Sequence, residues 1–201
     1  SGRDLETRET SVAKREENFA KFDAALDKVL DMNDWHAFIN ALGEAGYVNK
    51  GIVSSENTIP LTYAIALIAK HRFGIVGVEN QRIAKRWFFM ALLTQMYTGN
   101  FESVFEQQMN SIGELKDADA LRSWVDAEIA ARLTDDYFSV TLTNELDKNR
   151  ASGPVWNGFL AAQVVLGSRV LFNTSTVAQL LLPASSGTKK AYDKHHIFPA
   201  N

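Results

Sequence analysis

The densest chemistry in this 201-residue chain lies in Asp193-Lys194-His195-His196-Ile197-Phe198-Pro199. An imidazole accepts a proton near neutral pH, and when neutral it ligates a divalent metal. Adjacent side chains on an extended segment point to opposite faces. One imidazole of the pair can therefore face an ion while its neighbour faces water or the backbone. Ile197 and Phe198 are suited to anchor the segment in a core, and Pro199 fixes the turn that follows. Half of the four histidines fall in this pair. The competing reading is a solvated tail, which composition alone favours.

A second set is basic: Lys70, His71, Arg72, Arg82, Lys85 and Arg86. Arg82 and Arg86 stand four apart and share a helix face. Such a face can hold phosphates, helped by the positive end of a helix. Against this stands an ordinary solvated face beside an apolar stripe. The net charge is -3, and no aromatic residues interleave with the basic ones. Trp35, Trp87, Trp124 and Trp156 can stack on bases, but each lies among apolar residues at helical spacing, which points to core packing. Asp117 with Asp119, and Asp135 with Asp136, sit where helix starts call for acidic caps. Glu102, Glu106 and Glu114 read as an exposed acidic face. No glycine-rich phosphate loop occurs, and a Ser-His-Asp set cannot be read from one sequence.

The elements that must position these residues read as helices. Ser11 caps a first helix to about Met32, with Phe19, Phe22, Leu26, Val29 and Leu30 at helical spacing. A short helix follows Asn33-Asp34 and ends at Gly43 and Gly46. Pro60 suits the first turn of a third, which stops near Gly74. The next starts near Asn80, carries Ile83, Trp87, Met90 and Ala91 on one stripe, and ends at Gly99. Asn100 and Asp117 or Asp119 open two more. Thr134 to Leu146 is helical by pattern, although Tyr137 to Leu142 is rich in β-branched residues. Ser152-Gly153-Pro154 breaks the chain before a further helix, and Ser175 to Leu182 forms a last short one. No internal repeat of convincing period is visible. The expectation is an all-α, bundle-like domain over residues 1–183. A linker and a short non-helical segment follow over residues 184–201.

Composition narrows the classes. Hydrophobic residues make up 46% and charged residues 22%, which suits a globular protein rather than a disordered one. A module that wraps nucleic acid by charge alone is disfavoured. With no cysteine, disulfide scaffolds, thiolate zinc sites and thiol catalysis are excluded for this chain. No apolar run reaches the roughly 18 residues of a membrane helix, and no secretory signal is visible. A cytoplasmic setting fits.

His-His-Ile-Phe-Pro, preceded by Tyr192 and a basic turn, resembles the opening of the HNH, or ββα-metal, nuclease motif. It is most similar to the variant in the C-terminal domain of GmrSD-type modification-dependent restriction endonucleases. The stretch Ile83 to Ser103 is similar to that family's middle region, where a Trp-Phe-type helix leads into a Tyr-containing turn and an acidic helix. Ala69-Lys70-His71-Arg72 sits where such proteins end an apolar helix. The resemblance spans roughly residues 60–201 and leaves 1–59 unplaced.

The resemblance implies a phage-defence endonuclease that cuts foreign, often modified, DNA. It implies a divalent metal at the HNH-like site and a nucleoside triphosphate at a separate N-terminal domain. His196 matches the general base, His195 the first metal-ligand position, which is usually Asp, and Pro199 the structural proline. Arg72, Arg82, Lys85 and Arg86 are the candidate DNA contacts. The motif normally continues into a hairpin and a helix that supplies an Asn and a further His or Asn. The chain ends at Asn201 before these, and Ser1-Gly2 reads as a cloning remnant, so the expectation is a helical excerpt that cleaves nothing alone. The alternative is a non-catalytic helical protein- or DNA-interaction module.

Overall fold

The computed structural model describes residues 10–148, 152–171 and 174–182. Its helices are α1 (Val12–Val29), α2 (Met32–Glu44), α3 (Thr58–His71), α4 (Gly77–Leu93), α5 (Phe101–Glu114), α6 (Ala118–Arg132), α7 (Thr143–Asp147), α8 (Pro154–Val165) and α9 (Val177–Leu181). A 3-10 turn at Lys50–Ile52 and a π-helical segment at Tyr137–Leu142 join them. Arg169 and Thr176 form an isolated antiparallel β-bridge. The fold is all-α, as the pattern of apolar residues predicts. None of these helices is long and apolar enough to cross a membrane.

Helix starts follow from short polar side chains that give an end N–H group a partner. Ser11 accepts from the Lys14 amide at 3.1 Å to begin α1. Asp117 accepts from the Ala120 amide at 2.8 Å to begin α6. Thr176 and Gln179 exchange side-chain and backbone bonds in a capping box on α9. Pro154 opens α8 behind Gly153, whose φ of +101° only glycine adopts readily. The segment before the π-helical turn is capped by Thr134, which accepts from the Tyr137 amide at 3.1 Å. Asp135 and Asp136, expected as the caps there, stay exposed.

The chain divides into two compact units, Ser1–Ala37 and Phe38–Asn201, inside the stretch expected to form one helical domain. The first holds α1 and the start of α2, and no residue of α1 is buried. The second is built on α4, where Ile83, Ala84, Trp87, Phe88, Met90, Ala91, Leu92 and Leu93 are buried. α3 supplies Ile65, Ala66, Leu67 and Ala69 to the same interior. α6 adds Leu121 and Val125 and stacks Trp124 on Trp87, ring centroids 5.1 Å apart.

Trp87, completely buried, donates its indole N–H to the Tyr97 hydroxyl at 3.0 Å. Tyr97 donates in turn to Gln108 Oε1 at 2.7 Å, and Gln108 Nε2 lies 3.2 Å from Met96 Sδ. Trp87, Tyr97 and Gln108 thus each find a partner in this relay, which avoids the cost of about 1–3 kcal/mol for leaving a buried polar group unmade. Trp87 bears out the core reading of the tryptophans most fully. Trp35, Trp124 and Trp156 are only partly buried.

α8 packs through its smallest residues. A Cβ on Gly158 would lie 2.9 Å from Leu93 Cδ1. A Cβ on Gly46, just past α2, would lie 2.1 Å from the Ala161 carbonyl oxygen, and Gly46 also has φ +92°. Backbone approaches backbone there, and no side chain fits between them.

Two boundaries differ from the expected ones. α4 begins at Gly77, three residues before Asn80, and ends at Leu93 rather than at Gly99. The chain turns at Gln95, a non-glycine residue with φ +55°. The stretch 137–142, whose aromatic and β-branched residues left its helical character in doubt, is a π-helix.

Candidate functional site

The expected catalytic residue His196, the expected metal ligand His195 and the motif proline Pro199 lie outside the described residues, as does the 184–201 segment. Among the described residues no three His, Asp or Glu side chains gather into a group able to hold a metal ion.

The basic candidates fall on the second unit, and each has a definite place. Arg72 follows α3 as its C-cap. Its guanidinium donates to the carbonyls of Ile112 at 3.1 Å, Gly113 at 2.8 Å and Leu115 at 3.1 Å. These are end carbonyls of α5, which lack partners within the helix. The guanidinium also lies 4.9 Å from the centre of the Phe73 ring. Arg72 therefore ties the end of α3 to the end of α5. Its hydrogen-bonding capacity faces protein carbonyls.

On α4, Lys85 pairs with Glu44 at 2.9 Å and Arg86 with Asp126 of α6 at 2.5 Å. At the start of the same helix Glu79 accepts from Arg122 Nε at 2.5 Å and Nη2 at 3.0 Å, and Arg122 also pairs with Asp119. The hydrogen bonds from Arg122 hold the Glu79 carboxyl below its usual range, and Arg82 adds a smaller Coulombic pull. The same contacts hold Arg122 in its charged form more firmly than usual. Two rungs, Glu79 to Arg122 and Arg86 to Asp126, ascend both helices in the same chain direction. They set α4 and α6 side by side and bring Trp87 against Trp124.

Arg82 differs from its neighbours. It is exposed, and among the described residues it makes no hydrogen bond or ion pair. Across this polar face four cations (Arg82, Lys85, Arg86 and Arg122) meet four carboxylates (Glu44, Glu79, Asp119 and Asp126). The local field is close to neutral. Exposed ion pairs are each worth about 0–1 kcal/mol, so a phosphate can displace Asp126 from Arg86 at small cost. Arg82 and Arg86 still share one face, as their spacing predicts, but carboxylates from other elements line it.

One concavity was not foreseen. A cleft of about 370 Å³ opens between the end of α4, the π-helical turn and the start of α8. Leu93, Gln95, Arg132, Tyr137, Glu145 and Trp156 are among the residues lining it. Tyr137 donates its hydroxyl to the Leu93 carbonyl at 3.1 Å, and burial raises its pKa. Arg132 pairs with Glu128 on its own helix at 2.7 Å. The indole nitrogen of Trp156 is buried without a hydrogen-bond partner among the described residues. The local cue was the run of β-branched and aromatic residues at 137–142. The partners from α4 and α8 are more than 10 residues away in sequence and carried no cue.

No family model, curated protein or solved structure matches the chain.

Proposed function

We propose that this chain is the helical scaffold of a cytoplasmic, metal-dependent DNA endonuclease similar to the GmrSD-type phage-defence enzymes. The observation that supports the reading is the residue order His195-His196-Ile197-Phe198-Pro199 placed after an all-α region. In this reading the helices space an N-terminal nucleoside-triphosphate-using domain from the HNH-like centre. His195 would hold a divalent ion and His196 would accept the proton of the attacking water. Such an ion would supply charge stabilisation at the scissile phosphate. An imidazole in the position usually held by Asp suits a transition metal better than Mg²⁺, which prefers oxygen donors.

The Ile83–Ser103 stretch supports the reading in a second way. Its Trp87 and Tyr97 are the paired centre of the core, so a family built on this scaffold has a physical reason to keep that pattern. The test uses a polypeptide that carries this region with a complete HNH-like domain. His196→Ala is expected to abolish metal-dependent nicking of supercoiled DNA while nucleotide hydrolysis continues. Nicking that survives the substitution removes His196 from the base role.

The second reading is a non-catalytic interaction module, and one observation favours it. Arg72, Lys85 and Arg86 are engaged with protein groups, which leaves Arg82 as the one candidate cation with no such partner among the described residues. A low-salt gel-shift assay on the 201-residue chain tests whether the Arg82/Arg86 face contacts DNA. Retention of DNA that is lost in Arg82→Glu/Arg86→Glu supports a scaffold that touches DNA. No retention by the unaltered chain leaves this face without a role in DNA contact.

A further inference from the structure

α1 repeats itself every seven residues. Val12-Ala-Lys-Arg-Glu-Glu-Asn is followed by Phe19-Ala-Lys-Phe-Asp-Ala-Ala and then by Leu26-Asp-Lys-Val-Leu-Asp-Met. The first position of each block is apolar (Val12, Phe19, Leu26), and the third is Lys14, Lys21 or Lys28. The fourth is Arg15, Phe22 or Val29. An apolar seam at the first and fourth positions of a heptad is the signature of helices that supercoil around one another. A helix docked on a globular core usually shows a wider stripe.

The side chains of this seam face water. Val12 is 64% exposed, Phe19 57%, Phe22 60%, Leu26 40% and Val29 47%, with Leu30 beside them at 65%. An isolated helix of this length is marginal in water, since most helical stability in proteins comes from burying an apolar face. With aromatic side chains at about 150–250 Å² each and aliphatic ones somewhat smaller, these six expose roughly 600 Å². Two such faces bury roughly 1,200 Å² together, the lower end of the range for specific association.

We propose that α1 pairs with α1 of a second copy of this chain in a short coiled coil. The flanking positions suit a parallel pair. Asn18 of one helix then meets Asp23 of the other, and Ala25 meets Leu30, so no like charges oppose each other there. An antiparallel pair instead brings the acidic column of Glu16 and Asp23 against its own copy. Arg15, in a seam position, weakens the first block and limits the affinity.

Sedimentation equilibrium on the 201-residue chain, from about 1 to about 200 µM, tests the proposal. A concentration-dependent dimer is expected. Phe19→Glu/Phe22→Glu should weaken it at least about 100-fold, because two seam positions on each copy change from apolar to charged. Those positions are not buried in the chain, so the near-ultraviolet signal of the Trp87 core serves as the folding control. Arg15→Leu should tighten the dimer about tenfold, whereas Lys21→Leu, an equal apolar gain off the seam, should leave it unchanged. A chain that stays monomeric across the range overturns the proposal. A dimer indifferent to the Phe19/Phe22 pair, or tightened equally by Lys21→Leu, overturns it too, since association then uses another face.

Discussion

α1 and α4 are nearly the same length, 18 and 17 residues, and both carry apolar residues at helical spacing. Eight residues of α4 are buried and none of α1. The difference lies in what surrounds each apolar stripe. On α4 the stripe widens along the helix until Met90, Ala91, Leu92 and Leu93 are all buried, because α3, α6 and α8 close around it. On α1 the stripe stays narrow, and its period is seven residues. Apolar periodicity tells which face needs cover. Its width and exact period tell what kind of cover fits.

The largest effect expected from breaking this contrast is at Trp87. Trp87→Ala removes a completely buried ring, its stacking on Trp124 and the donor to Tyr97. A loss of about 3–5 kcal/mol is expected in urea unfolding. Gly46→Ala comes next. The new methyl would meet the Ala161 carbonyl at 2.1 Å in a backbone conformation that alanine disfavours. A loss of about 3 kcal/mol is expected, with the strain and the clash adding.

Tyr97→Phe strands Gln108 and the Trp87 indole and should cost about 1–3 kcal/mol. It also has a pH signature. Burial pushes the Tyr97 hydroxyl up to about 12, against an ordinary value of 10.0, and the hydrogen bond from Trp87 opposes that rise. A raised folded pKa contributes stability that is complete below the unfolded value and is lost as pH rises through the folded one. The wild-type chain should thus lose stability between about pH 10 and about pH 12, and Tyr97→Phe should lessen that loss. Tyr47, whose pKa burial also raises, contributes with the same sign in both proteins.

The rungs between α4 and α6 give a smaller, acid-side effect. Glu79 is held below its ordinary pKa by Arg122, so its contribution is present above the usual carboxylate range and is lost as pH falls through its folded value. Urea midpoints taken from about pH 6 to about pH 3 should fall less steeply in Glu79→Gln than in the wild type. The smallest effect is on α1 itself. Phe22→Ala should change the unfolding free energy of dilute protein by no more than about 0.5 kcal/mol, because Phe22 is 60% exposed. A larger loss would mean that α1 is held like α4.

The parts legible in the sequence are those decided locally. Ser11, Asp117 and Ser152-Gly153-Pro154 mark helix starts because a cap or a broken hydrogen-bond pattern involves neighbours within a few residues. The all-α class follows from the same short-range signals. What pairs across the fold was not legible. Arg86 meets Asp126 and Arg72 meets the end of α5, each about 40 residues away, and spacing along the chain says nothing about such partners. The end of α4 is not legible because Gly99 is the conspicuous stop signal, whereas the turn is made by Gln95 in a conformation that glycine usually takes. The Arg82/Arg86 face was readable as a face, but its neutralising carboxylates were not. The seven-residue repeat of α1 was present in plain view. It resembles an ordinary amphipathic pattern because helix periods of 3.5 and 3.6 diverge little over 18 residues.

Amide hydrogen exchange, followed segment by segment at low and high protein concentration, is the most direct test of the contrast between the two helices. The amides of α4 should exchange only through global unfolding at every concentration. Those of α1 should exchange within seconds at about 1 µM and slow markedly at about 200 µM. Protection of α1 equal to that of α4 at the lowest concentration would contradict the account, because the cover for its apolar seam would then come from within a single chain.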